Sequence, residues 1–444
     1  MINQREKLTS RVIKIFSKKS IGVMLDFFSS IFLVRMLGAD QYGIYITLLL
    51  FPHLISSFGS MGLGSSIIFF INKVGICTSQ LSRSLLIIAL ALGSSYAFIL
   101  ASFTVSINGY VNYDLPTDLI MLASILIPFT LLEKYFGSIL IAQNKLNYHT
   151  NLLVLAPATM RAFLFLIIFF IDIENKLAAV VIIIIFIRIS VVLFLCLSQL
   201  LKERFTERVR LLPYADFKKI VAFGLKSHLG GILERSNREI SMIIMVGFLN
   251  SESIANYNIA LRISNILLQI KAVSTMFLQQ SVSKGKIEEI KSFFPLVNRL
   301  IILIFILAVP ILLICSSFLL PILYSYELES ANYALNILIY GTVLLTLFGN
   351  INVLFTQTGR PLMKSKIRIY GFILNVVLLL YLLTDFGIFG AALAYTSSYL
   401  LMYLIALFYA QRYFGFSIKD LLLIKASDLY FLRKSIMPII TKNK

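Results

Sequence analysis

Runs of about twenty apolar residues, enough for a helix to cross a bilayer core of roughly 30 Å, recur from one end of this chain to the other. Short polar connections separate them. The pattern predicts spans at about 12–36, 42–72, 82–107, 117–143, 148–172 and 176–201. A second set follows at 220–249, 253–283, 292–323, 330–357, 364–384 and 387–411. The expected architecture is an all-α integral membrane protein of about twelve helices in two six-helix bundles. The first bundle covers 1–201 and the second 220–411, joined by a basic linker at 202–219 and followed by a basic tail at 412–444.

Composition agrees with that reading. The 444 residues are 59% hydrophobic, with a mean hydropathy of +0.89, whereas soluble domains run at about 45–50% apolar. Met1 to Lys19 is basic and leads straight into a full-length span, unlike a cleaved secretory signal. Cys77, Cys196 and Cys315 are scattered and form no CxxC, so neither a disulfide nor a metal site is expected.

The net charge of +19 sets orientation, because Lys and Arg accumulate in cytoplasmic loops. Basic residues crowd Arg5 to Lys19, Lys73 with Arg83, Lys145, Lys202 to Lys219, Lys284 to Lys291, Arg360 to Arg368 and the segment from Arg412 onward. The alternate loops carry Asp40, Asp114, Asp118, Asp172, Glu174, Glu252, Glu327, Glu329 and Asp385, with Lys176 as their one base. Both termini are therefore expected in the cytoplasm. Charge confined to short loops between apolar spans argues against nucleic acid as a partner and for contact with anionic membrane lipid.

The halves also echo each other. Leu37 to Tyr45 aligns with Leu249 to Tyr257 at an offset of 212 residues, each running from a leucine through an acid (Asp40, Glu252) to a tyrosine. Six spans per half would place such repeats in parallel, with a cargo path between them.

Ionisable groups at membrane depth are costly and normally face a bundle interior or a wet cavity. Here they are mostly cationic: Arg35, Lys134, Arg161, Arg188, Lys226, Arg235, Arg238, Arg262, Lys271 and Arg299 against Asp26, Glu133, Glu234 and Glu239. Asn258, Arg262, Asn265, Gln269 and Gln280 share one face at helical spacing, whereas Lys271 lies nearly opposite. Glu234 with Arg238 and Arg235 with Glu239 are i, i+4 pairs that either neutralise each other or leave the arginines for cargo. Arg161 and Arg188 either reach an anionic cargo or pair with Asp26 and Glu133, and those acids either pair or bind a coupling ion. His53, Ser56, Ser57, Ser60 and Gly64 share a face of the second span, as do Thr130, Glu133, Lys134, Gly137 and Asn144 of the fourth. Such faces suit a wet interior or close helix packing.

Enzyme signals are missing: there is no HExxH and no Walker loop, and His53, His149 and His228 are isolated. Gly59-Ser-Met-Gly-Leu-Gly64 lies inside a hydrophobic span and lacks the strand and lysine of a phosphate loop. No catalytic residue and no cofactor are expected.

Arg35-Met-Leu-Gly-Ala-Asp-Gln-Tyr-Gly-Ile-Tyr45, followed by Gly62-Leu-Gly64, resembles the opening signature of Wzx-type polysaccharide (O-antigen) flippases of the multidrug/oligosaccharidyl-lipid/polysaccharide (MOP) exporter superfamily. Asn237-Arg-Glu239, Phe248 to Tyr257, and Ala260-Leu-Arg262 resemble that family's seventh and eighth helices, with Ala255 where glycine is common and Glu239 where aspartate is common. The resemblance implies a MATE-like fold in the bacterial inner membrane and an undecaprenyl-pyrophosphate-linked oligosaccharide as cargo. It also implies a polysaccharide polymerase and chain-length machinery as partners. Arg235, Arg238, Arg262, Arg161, Arg188 and Lys134 would suit pyrophosphate, and Asn258, Asn265 and Gln269 would suit sugar hydroxyls. A cation or drug antiporter of the same fold would favour an acidic cavity instead. A membrane glycosyltransferase or polymerase would need a larger outer loop or an acid motif.

Overall fold

The computed structural model describes residues 2–203, 211–284, 287–324, 329–425 and 428. Side chains are described within these ranges apart from 2–13, 201–203, 226–236, 276–277, 280–284, 287–289, 291–292, 319, 329 and 361. Every element among the described residues is helical. The chain divides into two compact units, Met1–Asn258 and Ile259–Lys444.

The first unit contains α1 (Ile2–Gly59), α2 (Leu63–Phe69), α3 (Thr78–Ser102), α4 (Thr104–Tyr110), α5 (Thr117–Ser124), α6 (Leu126–Ala142), α7 (Leu146–Thr150), α8 (Ala156–Phe170), α9 (Lys176–Glu203) and α10 (Tyr214–Phe248). Helix α11 (Ser251–Ser264) passes from the first unit into the second. The second unit continues with α12 (Leu268–Lys284), α13 (Ile287–Leu323), α14 (Glu329–Gln357), α15 (Pro361–Phe414) and α16 (Ile418–Leu422).

Among the described residues eight helices are long and apolar enough to cross a membrane. Two of these, Lys14–Gly59 and Leu362–Phe414, are about twice the length one crossing needs. Each is interrupted by a glycine in the left-handed region, Gly38 at φ 73° and Gly387 at φ 52°, where a side chain would be strained. Helix α10 is too polar for the set of eight, yet its 35 residues reach about 52 Å at 1.5 Å per residue.

The core of the first unit lies where α2, α3, α6 and α9 meet. Leu63 and Ile67 pack with Leu81, Leu85, Leu131, Tyr135, Ile139, Val192 and Leu195, and Ile220 of α10 joins them. In the second unit α14 is the most enclosed of the spanning helices. A polar seam on α14 faces α11 and α12: Thr342 donates to Ser264 at 3.3 Å, Asn350 accepts from Ser274 at 2.9 Å, and Gly349 lets the Lys271 stem lie against its backbone. Hydrogen bonds and small residues are the usual adhesive between helices in lipid, where burial of apolar surface gives little drive.

Five expected spans are not continuous α-helix. Those over 82–107 and 117–143 are interrupted at Phe103 and Ile125, that over 148–172 passes through a π-helical turn at Asn151–Leu155, and two others break as follows. The span expected over 42–72 breaks after Gly59, turns through Ser60–Gly62 with Met61 at φ 49° and Gly62 at φ 66°, and restarts as α2. Glycine in the Gly-Ser-Met-Gly run makes the left-handed turn inexpensive, and polar groups from α6 bind the carbonyls near the break. The span expected over 253–283 tightens into a 3-10 turn at Asn265–Leu267. Each residue of that turn adds about 20° relative to α-helical spacing, so the stripe of Asn258, Arg262, Asn265 and Gln269 is not straight.

Candidate functional site

Within the first unit α1 packs against α6, α9 and α10, and α6 packs against α9. These contacts gather His53, Glu133, Lys134, Arg188 and Glu239 from the polar set expected at depth. Lys134 of α6 reaches α1 and donates to the Ser56 carbonyl at 2.9 Å. The next residue, Tyr135, sends its hydroxyl towards the Ser60 carbonyl at 3.4 Å. An ammonium against these carbonyls suits the negative end of a helix that stops at Gly59. Met61 and Ser66, on either side of the restart, lie so close to Gly224 of α10 that a methyl group there would crowd them.

Glu133 pairs with Arg188 of α9, both half-buried. Asp26 pairs with Arg161 of α8, the guanidinium Nη2 and Nε lying 2.6 and 3.1 Å from one carboxylate oxygen. Arg161 and Arg188 are thereby matched to acids far away in sequence. For the Glu133–Arg188 pair, Glu133→Gln is expected to cost about 2 kcal/mol, the scale of a hydrogen bond to a charged group. Glu133→Gln combined with Arg188→Met should recover most of it, read as melting temperature in detergent. A double variant as unstable as the single one would refute pairing as the reason these charges are present.

On α10, Glu239 is buried at 4% exposure and its Oε1 lies 3.6 Å from His53 Nδ1. Its neighbour Arg238 lies about 100° round the helix. Arg238 is exposed and forms no hydrogen bond or ion pair among the described residues. It lies about 15 Å along the helix axis from the Phe248 end, inside the span expected over 220–249. The side chains of Glu234, Arg235, Lys226 and Gln280 lie outside the described residues.

Asn258, at the end of the first unit, is half-buried and accepts from the Tyr42 hydroxyl at 3.3 Å. In the second unit Arg262, Asn265 and Gln269 are likewise half-buried, which leaves polar surface accessible along α11 and α12. No group of three or more His, Cys, Asp or Glu side chains suited to a metal occurs among the described residues.

Several contacts were not foreseen. Tyr110 and Asn112 meet the end of α10 and Tyr113 meets Thr47 of α1, although their sequence reads as an ordinary polar loop. Asp428 pairs with Arg299 in the second unit; its one hint was being, with Asp420, one of two acids in a basic tail.

A family model described as "Polysaccharide biosynthesis protein" matches residues 8–278. No curated protein matches the sequence. Solved structures similar in fold include the following two. One is lipid II flippase MurJ in an inward closed conformation, at TM-score 0.75 and 15% identity, covering 95% of this chain and 92% of that one. The other is an inward-facing multidrug resistance MATE family transporter of the MOP superfamily, at TM-score 0.70 and 14% identity, covering 88% of this chain and 94% of that one. The chain therefore has a MATE- and MurJ-like helical membrane fold.

Proposed function

The chain belongs to the polysaccharide biosynthesis protein family, and from that premise we propose that it is a flippase for a lipid-linked oligosaccharide. The cargo is an undecaprenyl-pyrophosphate-linked unit, of the O-antigen kind or similar, moved from the cytoplasmic to the periplasmic leaflet. About twelve spans in two six-helix halves, with both termini in the cytoplasm, alternate in access around the cargo. The polyprenyl tail stays in lipid.

Arg238 carries this reading. An exposed arginine with no partner among the described residues would cost several kcal/mol against lipid at membrane depth, so it faces a wet space. There its planar fork suits two oxygens of a phosphate. Lys134 adds positive charge from α6, and the half-buried Asn258, Asn265 and Gln269 offer donors and acceptors to sugar hydroxyls. Arg161 and Arg188, held by Asp26 and Glu133, shape the interior rather than meet cargo.

Deleting the gene in its host tests the function. Lipid-linked glycan units should accumulate on the cytoplasmic face while the surface polysaccharide disappears, and an unchanged surface polysaccharide would overturn the reading.

A further inference from the structure

The C-terminal end of α10 is held by a set of contacts that the proposed cargo reading does not use. A helix end leaves its last carbonyls without helical partners. Here the segment following α4 supplies them: the Asn112 backbone N–H donates to the Val246 carbonyl at 3.1 Å, and its side-chain amide donates to the Phe248 carbonyl at 3.2 Å. One turn earlier the Tyr110 hydroxyl donates to the Ile243 carbonyl at 3.0 Å. The Tyr110 ring lies on Gly247 so closely that a methyl group there would stand 2.8 Å from its Cζ.

A second set of contacts continues from the other side of the short connection after α10. The Ser251 hydroxyl donates to Asp40, and the Ser251 backbone lies against Gly43 with no room for a Cβ. Thr47, one turn on from Gly43, hydrogen-bonds the Tyr113 hydroxyl. Burial pushes that phenol up to about 12, so it remains a hydroxyl through the neutral range. Three separate stretches, 40–47, 110–113 and 243–251, are thus joined by hydrogen bonds and two glycine contacts.

We propose that this cluster is a releasable latch. It holds the end of α10 against the first-half helices on the acidic-loop side of the protein, and its opening frees α10 to tilt. Its chemistry suits release. The contacts are polar, and Tyr110 and Asn112 are themselves exposed, so water can replace each bond at small net cost. No buried ion pair closes it. Because α10 also carries Arg238, opening the latch would move the cation assigned to cargo. The latch itself does not depend on what the cargo is.

Spin labels at Gly109→Cys and Glu252→Cys, both exposed, test this in a background with Cys77, Cys196 and Cys315 replaced by serine or alanine. In detergent and in lipid nanodiscs the latched protein should give a dominant short distance. Tyr110→Phe with Asn112→Ala should add a longer population of at least several-fold greater weight. Gly43→Ala, which forces Ser251 away, should do the same. Unchanged distances in the Tyr110→Phe, Asn112→Ala variant would make the cluster static packing and overturn the proposal. That variant decides alone if Gly43→Ala fails to fold. The distance readout needs no cargo, so failure of the flippase reading would leave this result standing.

Discussion

Asp428→Ala is expected to cost about 3–5 kcal/mol of stability and to lower the melting temperature of the purified protein by many degrees. In the native chain Arg299 is 8% exposed and Asp428 1% exposed. Arg299 Nε and Nη2 donate to the two carboxylate oxygens at 2.6 and 2.8 Å, and Nη1 donates to the Asp420 carbonyl at 2.6 Å. The adjoining Asn298 amide donates to the Leu421 carbonyl at 3.0 Å, and Phe416 stacks on Phe294. These contacts clamp the segment after α15 onto α13. Removing the carboxylate leaves a guanidinium buried without its counter-charge, which is far costlier than lacking both partners. Asp428→Leu combined with Arg299→Met should therefore recover most of the loss, and a single variant as stable as wild type would refute the clamp.

The pH dependence follows from Asp428. Its hydrogen bonds from Arg299, helped by the Lys425 backbone N–H, hold its carboxyl below the ordinary range against the opposing effect of burial. A depressed carboxylate contributes stability above its unfolded pKa and loses it as pH falls through its folded value. The difference in stability between wild type and Asp428→Ala should thus be constant from neutral to weakly acid pH. It should narrow only below the ordinary carboxylate range.

Arg238→Ala is expected to lower export about 10- to 100-fold with little change in protein level or melting temperature. Two charge-assisted bonds to a phosphate are worth at least the about 1.5–3 kcal/mol of a hydrogen bond to a charged group, and about 1.4 kcal/mol is tenfold. Stability should hold because Arg238 has no protein partner among the described residues to abandon. Arg238→Lys keeps the charge but not the planar fork, so it should fall between. Arg161→Ala differs in kind. It removes the arginine paired with Asp26 and should reduce protein level and export together. Normal export in Arg238→Ala would remove this residue from the cargo path.

Much of the architecture was legible because lipid is a demanding solvent. Backbone groups must be satisfied within each span, so long apolar runs could only be helices, and eight of them are long and apolar enough to cross. Polar positions at depth were legible for the same reason. The turn at Ser60–Gly62 was harder to read. Its Gly-Ser-Met-Gly run was visible, but the carbonyls it exposes are stabilised by Lys134 and Tyr135, more than seventy residues away.

The sequence by itself determined that this is a helical membrane protein, where its polar residues sit along each helix, and its likeness to polysaccharide flippases. Hydrophobic length and helical period are local properties, and lipid enforces them wherever the chain goes. Only the tertiary structure decided which charges cancel. Asp26 and Glu133 find Arg161 and Arg188, Arg299 finds Asp428, and Arg238 finds none among the described residues. These ion pairs join residues separated by 55 to 135 positions, except where Arg238 stands apart. Their energies depend on separation in space and on local dielectric, neither of which a periodicity along the chain contains.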